Sequence, residues 1–252
     1  ASAGAAGGQT SAYWTGNGYG TAQVNLRGLG INRTLTLING RRVVNGGTGA
    51  NSAPDLNMIP TSIIGRMDVL KDGASAIYGA DAVAGVVNIV TIDGYEGLKV
   101  SAKYGVTDES DGEDYTVDLL WGMRGDRGGV TAAFTYQKTE AVNMASRAPC
   151  SLGESGGQLV CSYSGNTLGG RARLADGRVV NFRQTPGPDG NYFELYNGTK
   201  HGFNSNPFLN AVSPIERIST AFLADYDLTD DVQLFGEFFF THRTSNHLAT
   251  PG

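Results

Sequence analysis

The fold is decided by residues 115–137, which read YTVDLLWGMRGDRGGVTAAFTYQ. From Tyr115 to Met123 apolar residues alternate with polar or small ones, Leu120 being the exception, and the alternation resumes from Val130 to Tyr136. Successive side chains of a β-strand point to opposite faces. This period of two therefore predicts two antiparallel strands with one apolar face each, joined by a Gly-rich connection at 125–129.

The same alternation extends over 98–106, 218–228 and 232–243, although Phe235 and Phe239 interrupt it in the last run. Strands of about 9–12 residues are long enough to cross a bilayer at a tilt, whereas strands in soluble proteins average about 5–6 residues. The connections 107–114, 125–129, 138–217 and 229–231 are alternately long and short, as in barrels with loops at one rim and turns at the other. We expect transmembrane β-barrel strands; a soluble sandwich is the alternative.

Five strands do not close a barrel, so an incomplete barrel is expected over 95–252, with 138–217 as a long extracellular loop. Residues 1–94 have a different pattern, in which short apolar runs alternate with turn signals. Strands are expected at 24–28, 34–38, 66–70 and 86–90, a hairpin turn at Asn39-Gly40, and a helical turn after Pro60. These features predict a compact α+β domain. Its core is expected to contain Leu35, Leu37, Ile63, Val69, Ile77, Val87 and Ile89.

Composition excludes several functions. The chain has 252 residues with 37 Gly, 17% charged residues and a net charge of −5. So much Gly disfavours a helix-rich enzyme, and no basic stripe is present to bind nucleic acid. A nucleophile-elbow pattern at 153–157 lies in a polar loop without the strand and helix that it needs. The three histidines lack metal-ligand spacing. We expect no catalytic residue, no metal and no cofactor.

Three stretches resemble the plug domain of TonB-dependent outer-membrane receptors. They are VNLRGLGINRTLTLINGRR at 24–42, IPTSIIGRMDVLKDGASAIYG at 59–79 and AVAGVVNIVT at 82–91. PIER at 214–217 and DDVQLFGE at 230–237 resemble early barrel strands of the same family. The resemblance implies a plug over 1–94, seated inside a large β-barrel of the cell outer membrane.

The resemblance also implies a function. It is the uptake of a scarce nutrient, such as a siderophore or a carbohydrate, with proton-gradient energy passed through the TonB-ExbB-ExbD complex. The expected partners are that complex, a small extracellular ligand and outer-membrane lipid. A non-transporting surface binding protein on the same plugged barrel is the alternative. The sequence departs from the family at Gly65, where Glu is usual, and it lacks the TonB-contacting box and the later barrel strands.

Candidate site residues follow from these expectations. Arg66 matches a family arginine that latches the plug to barrel carboxylates; pairing within the plug is the alternative. The loop 44–58 is expected to form the plug apex, with Asn45, Asn51 and Asp55 as polar ligand contacts. Aromatic residues of the long loop suit ligand recognition or packing within the loop itself. They are Tyr192, Tyr196, Phe203 and Phe208.

Two further features lie in loops. Cys150 and Cys161 would close a short loop in a polar Gly/Ser-rich stretch, which favours a disulfide in an oxidising compartment over two free thiols. Acidic residues crowd 108–114. They fit a solvated outer rim or, alternatively, divalent cations that bridge to lipopolysaccharide phosphates.

Overall fold

The structure, a computed structural model, describes residues 21–45, 53–71, 75–164, 167, 169–246 and 248. The chain divides into two compact units. Residues 1–142 with 212–247 form the plug–strand unit, and residues 143–211 with 248–252 form the loop unit. Within the described residues no helix combines the length and the hydrophobicity needed to span a membrane.

The plug contains a four-stranded sheet in the order β2-β1-β4-β3. Its strands are β1 (Thr34–Ile38), β2 (Arg41–Arg42), β3 (Ile64–Leu70) and β4 (Gly85–Thr91). β1 and β4 are parallel, and the other neighbours are antiparallel. Short helical segments connect the strands: 3-10 turns at Leu26–Gly28, Ile31–Arg33, Leu56–Met58, Thr61–Ile63 and Ala80–Ala82, and the one-turn helix α1 (Ser75–Tyr78).

The hairpin turn expected at Asn39-Gly40 is confirmed, with φ values of 49° and 78° that L-residues other than Asn and Asp seldom adopt. The strand expected at 24–28 is wrong. Leu26–Gly28 forms a 3-10 turn, because Arg27 and Gly28 both have positive φ (57° and 69°) and cannot continue an extended chain.

The plug core agrees with most of the expected residues. Five of them are buried: Leu35, Leu37, Ile63, Val87 and Ile89. Val69 and Ile77 are instead exposed, which corrects the expectation for both. Val69 lies on β3, which is an edge strand of the plug sheet, and Ile77 lies on the single turn of α1. Both residues are therefore at the periphery of the plug.

Five long strands form a second sheet of the plug–strand unit, in the order β16-β15-β7-β6-β5, and all neighbours are antiparallel. They are β5 (Gly97–Gly105), β6 (Asp114–Gly125), β7 (Gly128–Thr139), β15 (Ile215–Thr229) and β16 (Val232–Ser245). The long connections 106–113 and 140–214 join strand ends on one side of the sheet, which is called the loop rim below. The short connections 126–127 and 230–231 join strand ends on the opposite side, which is called the turn rim. Long and short connections alternate as expected.

The two faces of the long sheet differ as the alternation predicts. The outer face carries exposed apolar residues, among them Val100, Leu119, Trp121, Phe222 and Phe238. The inner face holds the polar set and also the three residues that interrupt the pattern. Leu120, paired with Ala133, is 2% exposed, and Phe239 is paired with Ala221. The Arg41 guanidinium carbon lies over the Phe235 ring, 4.8 Å from the centroid of that ring. The irregular residues thus contact the plug.

The largest apolar cluster joins plug and sheet. The plug contributes Ile59, Ile63 and Ile89, and the inner face contributes Leu120, Ala133 and Ala221. Ile63 is fully buried at the end of the 3-10 turn Thr61–Ile63, which contacts both β6 and β7. Each large aliphatic side chain buried in this way stabilises the assembly by about 1.5–3 kcal/mol. The plug is therefore held on the inner face of the long sheet.

The loop unit contains ordered secondary structure. Its described elements lie between β8 (Val142–Asn143) and β14 (Asn210–Val212). They are a hairpin of β9 (Ser151–Ser155) and β10 (Gln158–Ser162), a sheet of β11 (Arg171–Arg173), β12 (Val179–Phe182) and β13 (Phe193–Leu195), and the helix α2 (Gly198–His201). A disulfide joins Cys150 and Cys161 at the base of the hairpin, with the two Cα atoms 5.6 Å apart.

Glu194, on β13, is the centre of a charged network in the loop unit. Its Oε2 atom accepts hydrogen bonds from Lys200 Nζ at 2.6 Å and from Arg183 at 2.7 Å. His201 Nε2 lies 2.8 Å from Oε1, and the Asn197 amide donates to His201 Nδ1, so Nε2 carries the hydrogen and donates to Glu194. The hydrogen bonds from Lys200, His201 and Arg183, in that order, lower the pKa of Glu194 from 4.5 to about 2.

This shift predicts an acid dependence for the loop unit. A carboxyl with a depressed pKa in the folded state contributes stability that is full above about pH 4.5 and is lost as the pH falls toward about 2. We expect Glu194→Gln to raise the rate of pepsin cleavage within 171–201 severalfold at pH 4 and not at pH 2. Mass spectrometry of timed digests measures both rates. Glu154→Gln, on the exposed hairpin, is the matched control. Equal rates for wild type and Glu194→Gln at pH 4 would refute the network's role.

Candidate functional site

The plug contacts the inner face of the long sheet through polar groups near both rims. Near the loop rim, Arg217 of β15 and Arg243 of β16 are paired directly across the two strands. Like charges in this arrangement repel each other. The plug supplies the compensating carboxylate, since Asp55 Oδ2 lies 3.4 Å from Arg243. These side chains form what we call the loop-rim contacts.

Arg217 is buried in the loop-rim contacts, at 7% exposed. It donates to the backbone oxygen and the side-chain oxygen of Asn57 at 3.0 and 2.7 Å, and to Gln137 Oε1 at 2.7 Å. The Thr241 hydroxyl donates to the Met58 carbonyl at 2.8 Å. A short plug turn is thus held by two strands, β15 and β16, and Gln137 of β7 fixes the Arg217 guanidinium.

Glu237 of β16 makes the corresponding contact nearer the turn rim. Its Oε1 atom accepts from Asn39 Nδ2 at 2.9 Å, and its Oε2 atom accepts from Arg41 NH1 at 2.5 Å. Arg41 also lies over the Phe235 ring. A cavity of about 330 Å³ adjoins this contact, lined in part by Arg124 and Asp225. The strands therefore supply the anion here, whereas they supply the cations near the loop rim.

Asp55, one of the ligand contacts expected at the plug apex, makes structural contacts, and its role toward a ligand stays a prediction. This residue is 7% exposed, and its carboxylate accepts from the backbone amides of Ala22 and Asn57 at 2.9 and 3.0 Å in addition to pairing with Arg243. It caps the turn Leu56–Met58 and is committed to the plug's own structure. Asn45 is exposed and lines a pocket of about 580 Å³ together with Arg42. Asn51 lies outside the described residues.

Arg66 does not reach a barrel carboxylate in the described part of the chain. It pairs with Asp68 of its own strand at 3.3 Å, and both side chains are more than half exposed. Within the described residues Arg66 thus has the alternative pairing, inside the plug, and the latch to barrel carboxylates stays a prediction. The charged residues that join plug and strands include Arg41, Glu237, Arg217 and Arg243. The sequence offered a signal for Glu237 and Arg243, which fall on the polar side of the last alternating run.

The aromatic residues of the loop unit divide into packed and exposed groups. The Arg171 guanidinium carbon lies over the Tyr196 ring, 4.9 Å from the ring centroid. Phe203 stacks on Phe208, with the two ring centroids 5.4 Å apart. Only Tyr192 of the expected contact residues is largely exposed, at 58%. Tyr196 and Phe203 thus pack within the loop unit, and a ligand contact by either residue stays a prediction.

The acidic loop of the plug–strand unit is partly internally bonded. Asp111 accepts from the Thr107 hydroxyl at 2.6 Å, and Glu113 accepts from Tyr104 and Tyr115. Across the described ranges, no group of three or more His, Cys, Asp or Glu side chains is arranged to hold a metal ion.

Comparisons with known proteins agree with this architecture. The family model of the TonB-dependent Receptor Plug Domain matches residues 1–86. Among solved structures, the ferric enterobactin receptor PfeA of Pseudomonas aeruginosa is similar in its G324V mutant, with 17% identity and a TM-score of 0.57. Its complex with BCV-L6 gives 18% identity and 0.57, and its R480A mutant with enterobactin gives 18% and 0.55.

Each of these matches covers 89% of this chain and 27% of the receptor, so the chain spans about a quarter of the length of the receptors that it matches. At this identity the structural likeness shows the fold, and the family model identifies the plug. Residues 1–86 are thus similar to the plug domain of TonB-dependent receptors, and the fold of the chain is similar to that of such receptors.

Proposed function

We propose that the protein is a TonB-dependent transporter of the cell outer membrane, which takes up a scarce small nutrient with proton-gradient energy passed through the TonB-ExbB-ExbD complex. The observation that carries this proposal is the seating of the plug on the inner face of the long sheet. A plug that fills the interior of a barrel closes it to free diffusion, and passage then requires the plug to rearrange.

The outer face of the long sheet supports a place in the membrane. Its apolar side chains, from Leu98 through Phe240, are exposed, while the polar residues that alternate with them lie on the opposite face, which holds the plug. A soluble sheet would bury its apolar face and expose its polar one. The reverse arrangement suits strands with lipid on one side and a polar interior on the other.

We propose a ferric siderophore as the ligand class, with a carbohydrate as the second candidate. The solved structures named above are of a ferric enterobactin receptor, which supports the first class without specifying a compound. The exposed candidates for ligand contact are Asn45 on the plug and Tyr192 on the loop unit. An amide and an aromatic ring suit either class, since one offers hydrogen bonds and the other a flat apolar surface.

An uptake assay tests the function. The full-length protein is produced in outer membranes of hosts with and without TonB that lack their own siderophore receptors. Cells then receive ⁵⁵Fe-labelled ferric enterobactin or radiolabelled maltohexaose. We expect binding in both hosts and accumulation of one probe only in the host with TonB. Binding without TonB-dependent accumulation would favour the non-transporting surface binding protein. Failure to bind either probe would contradict the proposed ligand classes.

A variant pair refines the ligand assignment in the same assay. Tyr192→Ala removes an exposed ring, and we expect it to weaken binding of the probe severalfold because the ring offers apolar contact area. Leu195→Ala, which truncates another exposed residue of the same loop unit, should leave binding unchanged. Equal binding by wild type and Tyr192→Ala would remove Tyr192 from the site.

The membrane orientation yields a second prediction. Leu119→Arg places a charge on the outer face of β6, and we expect it to reduce the free energy of folding into lipid vesicles by about 2–4 kcal/mol. Thr116→Arg, on the inner face of the same strand, should cost much less. Urea titrations of the full-length protein in vesicles measure both values. Equal losses would contradict a lipid-facing outer surface.

A further inference from the structure

Two arginines of the loop unit lie next to each other on one strand. We infer that Arg171 and Arg173, called the arginine pair below, form an anion site that binds a carboxylate group of the ligand. The inference rests on the proposed function and deepens it, because it assigns a negative charge to the ligand and names the side chains that select for that charge.

The two arginine side chains lie on the same face of a sheet. They are the first and third residues of β11 (Arg171–Arg173), and side chains two residues apart on a strand point to the same face. Both residues are exposed. Their like charges repel each other at this separation, and an anion bound between them would turn the repulsion into attraction to a common partner.

The arginine pair lacks a compensating carboxylate. In the described part of the chain, neither Arg171 nor Arg173 has a hydrogen bond or an ion pair. Arg178, in the connection from β11 to β12, instead pairs with Asp176 at 2.6 Å. The arginine pair is thus a local excess of positive charge in a chain whose net charge is −5.

Glu194 lies on the same face of the sheet but does not neutralise the arginine pair. Arg171 and Glu194 are both in register with Asn181 of β12, which places the three side chains on one face. The oxygens of Glu194 already have three hydrogen-bond partners, which are Arg183, Lys200 and His201. The negative charge of Glu194 is therefore committed within the loop unit, and the arginine pair stays available to an external anion.

An aromatic ring holds Arg171 in position. The guanidinium carbon lies over the Tyr196 ring at 4.9 Å from its centroid, and the Tyr196 and His201 rings have centroids 6.0 Å apart. A guanidinium on an aromatic face keeps its in-plane N–H donors free, and their fork matches the two oxygens of a carboxylate. An anion that binds here therefore immobilises less side-chain freedom than it would at an arginine without such a support.

The exposed ring of Tyr192 lies on the same face as the arginine pair. Tyr192 precedes Glu194 by two residues, and the Arg183 amide donates to the Tyr192 carbonyl at 2.8 Å, which continues the pairing of β12 with β13. The face thus offers cationic donors and a flat apolar surface. Siderophores that chelate iron through carboxylates and acidic sugars such as uronates both combine a carboxylate with further contact area, whereas neutral sugars offer no charge.

The test is equilibrium binding of radiolabelled probes to the purified full-length protein in detergent, without TonB. Two pairs of probes differ in charge within one class: ferric citrate against ferrichrome, and trigalacturonate against maltotriose. We expect one anionic probe to bind about tenfold or more tightly than its neutral counterpart, as expected for charged hydrogen bonds. The anionic probe that binds identifies the source of the carboxylate.

Variants then assign the selectivity to the arginine pair. Arg171→Gln and Arg173→Gln should each weaken binding of that probe about tenfold, because each removes a charged hydrogen-bond donor. Arg171→Lys keeps the charge without the planar fork and should recover only part of the affinity. Arg178→Gln is the matched control, since it removes the same charge from an arginine that already has a carboxylate partner, and it should bind like wild type. Heat-modifiable migration in gels verifies that each variant is folded.

Two results would overturn the anion site: failure of both anionic probes to bind, or equal losses in Arg171→Gln and Arg178→Gln. The proposed function has a separate outcome. TonB-dependent accumulation of a probe whose binding Arg171→Gln and Arg173→Gln leave unchanged would support transport and refute the anion site. Loss of anion binding in both variants, in a protein that accumulates no probe, would support the anion site and refute transport.

Discussion

The rest of the structure depends on the apolar cluster that Ile63 of the plug and Leu120 of β6 share. Ile63 ends a 3-10 turn of the plug, and Leu120 is the one large aliphatic residue on the polar face of β6. Both are nearly inaccessible to solvent, and Ala133 and Ala221 complete the surface that receives the plug. Without this cluster the inner face of the long sheet would leave its apolar residues uncovered, and the plug would keep only its smaller internal cluster.

Polar contacts then decide the orientation in which the apolar surfaces meet. Apolar burial has no direction, whereas ion pairs and hydrogen bonds do. Arg217 and Arg243 are cationic donors and therefore need a turn that offers a carboxylate or carbonyl oxygens, which Asp55 and Asn57 provide. Glu237 requires donors, which the hairpin provides. A plug rotated end for end would place like charges together, so the two contact sets specify one seating.

Much of this architecture could be predicted from local sequence. The bounds of β1, the turn at Asn39-Gly40 and the division of the long strands into two faces all depend on neighbouring residues. Leu120, Phe235 and Phe239 could only be recognised as exceptions, because their partners come from the plug. The strand expected at 24–28 is absent because Arg27 and Gly28 have positive φ values. Nothing in the sequence indicates a positive φ at an Arg residue.

The candidate site was less predictable because its partners are distant in sequence. Asp55 is a polar residue in the expected ligand-binding loop, yet it pairs with Arg243 of β16. Arg66 has the position of a family latch, yet its partner in the described chain is two residues away. Nothing in a single sequence indicates which carboxylate an arginine will meet. Such pairs depend on the register of strands and on the seating of the plug.

A double-mutant cycle between Ile63→Ala and Leu120→Ala tests most directly whether the plug is seated on the inner face. The free energy of unfolding is measured by urea titration of the full-length protein in detergent. If the two side chains are in contact, the cycle should give a coupling energy of about 0.5–3 kcal/mol. The control cycle pairs Leu120→Ala with Leu37→Ala, in a separate cluster within the plug, and should be additive. Additive effects of Ile63→Ala and Leu120→Ala would contradict the account.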